Sequence, residues 1–251
     1  MTTFQIHRYR KTWNIGDAIQ TIALERLLPS VTYVWRDIDT PAEDVPFVVN
    51  GWLGNNRPPV TNANCLFAGV YVHSNEDNYR WIRNSRFAEI GARDPAMAMW
   101  CADRKIRASL IGCATLTFDP YTGPRKGVYA IDTKAEGAEF ISHDIGEMEW
   151  SDQLSLARQL LARYRQAELV ITSRLHVALP CLAFGTPVVI KDPMQWGNQE
   201  RNRRFSILDS VGVRYETPHL QDVSAWRERY LRFLERNLGI HIAPKPFART
   251  D

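Results

Sequence analysis

The sequence predicts an α/β protein, and three observations carry that prediction. Short apolar runs rich in Val, Ile and Leu recur along the chain, amphipathic stretches of helical period separate them, and turn residues punctuate both. The apolar runs are residues 46–50, 66–72, 108–118, 128–132, 169–172 and 187–190. Unbroken apolar character of this kind suits strands covered on both faces, as in a parallel sheet.

The helices between them announce their ends. Asp17 followed by Gln20 is a capping-box pattern that opens a helix burying Ile19, Ile22, Ala23 and Leu27. Asp94-Pro95 supplies an N-cap and a proline at the first helical position, ahead of Met97 and Trp100. Ser151 starts a helix with Leu154, Ala157, Leu161 and Tyr164 on one face. Trp226, Tyr230, Phe233, Leu234 and Leu238 repeat at helical spacing until Gly239 stops them. The turn-rich stretch 119–124 divides the chain nearly in half. The predicted architecture is therefore two Rossmann-like domains, residues 1–122 and 123–251, facing a central cleft. Ligands of such sheets bind beyond the carboxyl ends of the strands.

Composition narrows the function classes. The chain has 251 residues, 45% of them hydrophobic, with 31 Lys and Arg against 28 Asp and Glu. A net charge of +3 without a dominant basic cluster predicts no nucleic-acid partner. Apolar runs stay well short of the roughly 18–20 residues that span a bilayer, and the polar, basic first eleven residues lack the apolar region of a secretory signal. A cytoplasmic protein with at most peripheral membrane contact is expected. Cys65, Cys101, Cys113 and Cys181 lie scattered in apolar surroundings without metal-ligand spacing, which predicts reduced core thiols and no metal site. No Gly-rich dinucleotide fingerprint or Walker sequence occurs, which argues against NAD or ATP as the main ligand.

The densest chemical signal is a strand at 169–172 followed by Ser173-Arg174-Leu175-His176 at the start of an apolar helix. A helix start attracts anions, Arg174 adds a planar fork for carboxylate or phosphate, and His176 titrates near neutral pH. Equally, Arg174 could simply pair with an acidic side chain while His176 packs. Pro180 would kink a helix unless that helix begins at or just before His176. A second polar turn is Trp13-Asn14-Ile15-Gly16-Asp17, in which Gly16 lets a ligand approach, Asn14 and Asp17 offer hydrogen bonds, and Asp17 doubles as the helix cap. Arg93, in the third turn 90–95, precedes the helix capped by Asp94. Arg201, Arg203 and Arg204 form a charge run that reads as a solvated loop unless it faces the same cleft. Trp52, Asn55, Asn56 and Arg57 read as a loop after a strand end, either a sugar contact or ordinary surface.

Taken together, these segments resemble the polysaccharide pyruvyl transferase family. Asn14-Ile15-Gly16-Asp17-Ala18-Ile19-Gln20 is similar to that family's N-[IY]-G-D-x-[IL]-Q opening, and Thr172-Ser173-Arg174-Leu175-His176 with Gly185-Thr186-Pro187 is similar to its T-x-R-[LF]-H and G-x-P signature. Asn50-Gly51-Trp52, Ile90 to Asp94 and Gly112 to Thr117 fall between them in order. Pro180 and the short chain are departures.

The resemblance implies a GT-B-like pair of Rossmann-like domains, the N-terminal one on the acceptor side and the C-terminal one on the phosphoenolpyruvate side. It implies transfer of the enolpyruvyl group of phosphoenolpyruvate onto two hydroxyls of a sugar in a bacterial surface polysaccharide or its precursor. The product is a cyclic pyruvate ketal and phosphate is released. The partners would be phosphoenolpyruvate as donor substrate and a sugar acceptor, lipid-linked or polymeric, with no cofactor. In that scheme His176 is the general acid, Arg174 and Arg93 clamp the donor with Ser173 and Leu175 at the helix start, and Asp17 is a candidate base beside Asn14 and Gly16. Arg203, Arg204 and Trp52 are further substrate contacts. The rivals are a GT-B glycosyltransferase using a nucleotide sugar, which would need a base-recognition surface, and a non-catalytic carbohydrate-binding protein of the same fold.

Overall fold

A computed structural model describes residues 2–9, 13–36, 41–54, 64–72, 76–191 and 199–247. Its strands form two sheets, and every pairing between those strands is parallel. The first sheet has the order β2-β1-β3-β4-β5-β6, from β1 (Thr3–Arg8), β2 (Ser30–Trp35), β3 (Phe47–Leu53), β4 (Cys65–Val72), β5 (Ile90–Ala92) and β6 (Ala108–Leu110). The second has the order β10-β9-β7-β8, from β7 (Val128–Ile131), β8 (Glu139–Ile141), β9 (Leu169–Thr172) and β10 (Val188–Ile190). All eight residues of β4 are buried, as continuous apolar runs in covered parallel strands require. Both orders reverse beside their first strand, between β1 and β3 and again between β7 and β9. Such a switch point opens a crevice at the carboxyl ends of the two strands.

The helices are α1 (Gly16–Glu25), α2 (Glu76–Arg83), α3 (Pro95–Asp103), α4 (Trp150–Gln166), α5 (Leu175–Phe184), α6 (Gln199–Ser210) and α7 (Ser224–Leu238). One buried cluster runs from Ile6 and Ile19 through Leu160 and Phe184 to Tyr230 and so spans both sheets. Helix α1 packs directly on α4 and α5. The final helix α7 returns to the first sheet, where the Tyr230 hydroxyl donates to the Ala68 carbonyl at 2.9 Å. Asp119, in the connection between the sheets, receives Arg26 at 2.6 Å from one side and Arg227 at 2.7 Å from the other. Arg125 adds a second tie: its guanidinium donates to the carbonyls of Arg165, Phe184 and Gly185, joining the C-terminal ends of α4 and α5. Gly185 takes the left-handed conformation (φ 66°) that closes α5.

Several local expectations are corrected. Residues 108–118 do not form one strand: β6 ends at Leu110, and a short 3-10 turn occupies Ala114–Thr117, held by the Thr117 hydroxyl on the Ala114 carbonyl. The stretch 90–95 is not only a turn, because Ile90–Ala92 pairs with β4 and β6 on either side. Asp17 does not cap α1. The helix starts at Gly16 after Ile15 with no side-chain cap, and Asn14 just before it accepts from Gly16 N–H at 3.1 Å through its side-chain oxygen and from Asp17 N–H at 3.1 Å through its carbonyl. Helix α4 begins at Trp150 after Glu149 rather than at Ser151. The Asp94 cap of α3 is as predicted, its carboxylate accepting from Met97 N–H at 2.9 Å. All four cysteines are buried and unpaired. Among the described residues no helix is long and apolar enough to cross a membrane.

Candidate functional site

Both switch points carry the polar turns singled out by sequence. Strand β1 leads into the Asn14–Asp17 turn, β7 leads into Asp132, and β9 leads into Ser173–His176. Arg174 is the N-cap of α5 and lies in extended conformation, its N–H donating to the Thr172 hydroxyl at 2.9 Å. Its Nε donates to Asp132 Oδ2 at 2.6 Å. The Arg174 side chain is 30% exposed, and its terminal nitrogens have no partner among the described residues. Half of the guanidinium is thus anchored while the other half is available to an anion, beside a helix start whose dipole has the same preference.

His176 is 8% exposed, in the first turn of α5. Its backbone departs from helical geometry (ψ 19°). The cause lies four residues on: the Pro180 ring occupies the space where the i−4 carbonyl would point and supplies no N–H to it. Proline therefore reshapes the turn that presents the histidine without ending the helix. Gly16 comes up against this turn, since a Cβ on Gly16 would lie 3.3 Å from His176 Cβ. The two motifs, about 160 residues apart in sequence, thus meet in space.

The segment 142–145, which sequence reasoning passed over, joins them. Ile15 N–H donates to the His143 carbonyl at 3.1 Å and Ile145 N–H to the Trp13 carbonyl at 3.0 Å, with Asn14 bridged to Asp144. Below it, His143 is fully buried and its Nε2 lies 2.7 Å from the Tyr164 hydroxyl. Burial holds its pKa down to about 3, against a smaller opposing pull from Asp132. The only signal for Asp132 was its place at the end of an apolar run, and for His143 there was none.

The remaining predicted residues are enclosed or belong to other elements. Arg93 follows β5, is 0% exposed, and puts its Nε 3.1 Å from Asp94 Oδ2 with the guanidinium over the Tyr71 ring. It is not a solvent-facing clamp here, because the adjacent carboxylate and the aromatic face enclose it. Burial raises the Asp94 pKa, and the Arg93 charge opposes that shift. Ser173, 8% exposed, directs its hydroxyl to the Asp132 carbonyl at 3.5 Å, and Leu175 is a buried first residue of α5. Trp52 belongs to β3 itself rather than to the loop beyond it, and its ring folds over Gly54. Asn55, Asn56, Arg57 and the side chains of Arg201, Arg203 and Arg204 lie outside the described residues, although the arginine run itself is helical, in α6.

Two parallel sheets that meet through their switch-point turns define an α/β protein of Rossmann-like type. The chemical class comes from comparison with known proteins: residues 68–192 match the family model described as polysaccharide pyruvyl transferase. The chain belongs to that family, and is by that membership a transferase. The matched segment contains Asp132, His143, Arg174 and His176. No curated protein matches the chain. Among solved structures, an uncharacterized protein of Klebsiella pneumoniae is similar at 16% identity and a TM-score of 0.48, over 86% of this chain and 93% of that one.

Proposed function

We propose that this transferase moves the enolpyruvyl group of phosphoenolpyruvate onto two hydroxyls of a sugar in a bacterial surface polysaccharide or its precursor, in the cytoplasm. The observation that carries the reading is the half-anchored Arg174 at the β7/β9 switch point, two residues before the His176 that packs against Gly16 of the Asn14–Asp17 turn. The arrangement is GT-B-like: residues 1–122 take the acceptor and 123–251 the donor, with α7 crossing back to brace the first sheet. No cofactor takes part.

The donor carries a carboxylate and a phosphate close together, which suits the open edge of the Arg174 fork and the start of α5 at Ser173 and Leu175. His176 protonates the methylene carbon, which becomes the ketal methyl group. The first sugar hydroxyl bonds to the adjacent carbon and gives up its proton, for which Asp17 is the base beside Asn14 and Gly16. The carbon–oxygen bond to phosphate then breaks, phosphate leaves with the bonding electron pair, and the second hydroxyl closes the ring and loses its proton. One proton has entered the methyl group and two have left the sugar, so the balance is one proton for the departing phosphate. Arg203, Arg204 and Trp52 contribute to acceptor or phosphate binding, and Arg93 supports β5 from within.

The test is phosphate release from phosphoenolpyruvate over a panel of sugars, with the ketal read as a mass gain on the acceptor. Arg174→Ala and His176→Ala should each abolish turnover while retaining the wild-type circular dichroism. A near wild-type rate in His176→Ala would remove it as the acid. Consumption of a nucleotide sugar in place of phosphoenolpyruvate would replace the reading by a glycosyltransferase, and sugar binding without turnover by a carbohydrate-binding protein.

A further inference from the structure

We infer that Asp132 is the positioning residue for Arg174, and that it also holds Arg174 in register with the N-terminal turn through segment 142–145. This rests on the proposed reading of Arg174 as the donor-binding cation. Asp132 is 14% exposed and sits at the carboxyl end of β7, with its backbone in the left-handed region at φ 51°. Aspartate and asparagine tolerate that conformation better than most residues. The conformation is fixed from both sides, by Asp132 N–H donating to the Ile141 carbonyl at 3.0 Å and by Ser173 reaching the Asp132 carbonyl.

The carboxylate is a hub. It accepts from Arg174 Nε at 2.6 Å, from the Ser142 hydroxyl at 3.1 Å, and from His143 N–H at 3.2 Å to each oxygen. The same residue 143 presents its carbonyl to Ile15 N–H. Three links therefore run from Arg174 to the turn that carries Asn14 and Gly16: the ion pair, the His143 amide, and the His143 carbonyl. A guanidinium held through Nε keeps one orientation for its two remaining nitrogens. Without the carboxylate, Arg174 would carry an uncompensated charge with freer rotamers, still attractive to an anion but no longer aimed.

Separating attraction from aim tests the inference. Asp132→Asn retains the shape and suits the left-handed backbone, and Asp132→Gly suits it without any side chain. With phosphoenolpyruvate and an accepted sugar, both variants should melt close to wild type and lose about tenfold or more in kcat, with the donor KM changed by less than about threefold. Unchanged kcat in a folded variant overturns the inference. So does a loss of kcat that only tracks a fall in melting temperature, because that is a structural role. A second readout does not need turnover. The Arg174 Nε–H should give a slowly exchanging, downfield 15N–1H signal, assigned by its absence in Arg174→Ala and lost in Asp132→Gly, which removes the acceptor altogether. Persistence of that signal in Asp132→Gly overturns the inference even if the wild-type protein ignores phosphoenolpyruvate, an outcome that by itself defeats only the proposed reaction.

Discussion

Gly16 stands against His176 so closely that a methyl group between them would push its neighbours by a few tenths of an ångström. A Cβ at position 16 would lie 3.1 Å from Asn14 Oδ1 and 3.3 Å from both Asn14 Nδ2 and His176 Cβ. Gly16 is the first residue of α1 and its backbone is helical, so space rather than backbone strain is what an added methyl group tests. Alanine gains about 0.5–1 kcal/mol over glycine inside a helix, which offsets part of the crowding. Gly16→Ala should therefore melt within a few degrees of wild type while kcat for phosphate release falls about tenfold, as His176 shifts by a few tenths of an ångström. An unchanged kcat would mean that the histidine ring is not held from this side.

Two buried imidazoles set a pH dependence of stability. His7 and His143 both have pKa values held down to about 3 from the ordinary imidazole value of 6.5, chiefly by burial, with Arg36 adding to the effect on His7 and Arg174 to that on His143. Above 6.5 both are neutral, folded or unfolded, and stability is at its full value. Below that, the unfolded chain binds protons that the folded chain refuses, so stability falls as pH drops toward 3, by about 1.4 kcal/mol per pH unit for each histidine. Urea unfolding should show a loss of about 4 kcal/mol between pH 7 and pH 5, and His143→Gln should remove about half of that slope. A flat profile over this range would show that water reaches both rings.

Much of this fold is legible in the sequence, and the parts that are not have physical reasons. Strands β3, β4, β7, β9 and β10 announce themselves because they are largely covered and their side chains are mostly apolar. Strand β1 does not, although it lies between β2 and β3. Its Phe4 and Ile6 face α1, while Gln5 and His7 are buried on the other face, where the Gln5 amide nitrogen donates to the carbonyls of Ala42 and Val45. Polar residues satisfied by tertiary contacts look like surface when read along the chain. The same holds at the site. Arg174 and His176 are visible as a motif because the strand–helix junction is local, whereas Asp132 and His143 acquire their meaning only through partners in other elements. Arg93 is the converse case: a cation at a helix start invites a ligand, but the aspartate that caps the helix is already its partner.

Whether Arg93 serves the fold or the donor can be decided by removing its partner with it. Arg93 and Asp94 are both fully buried, and one carboxylate both caps α3 and accepts from the guanidinium. Breaking one member of such a pair strands a charge in the interior, at a cost of about 3–5 kcal/mol, whereas replacing both by neutral groups of similar size is often nearly neutral. Arg93→Met should accordingly lose several kcal/mol in urea unfolding, and so should Asp94→Asn (about 3–5 each). The double variant Arg93→Met/Asp94→Asn keeps an asparagine at the cap and should recover most of that loss. In this refolded background the donor KM decides the role. If it stays within about threefold of wild type, Arg93 is an interior brace for β5, while a rise of about a hundredfold, the equivalent of a lost charge-assisted hydrogen bond, would mean that the site opens far enough to use it.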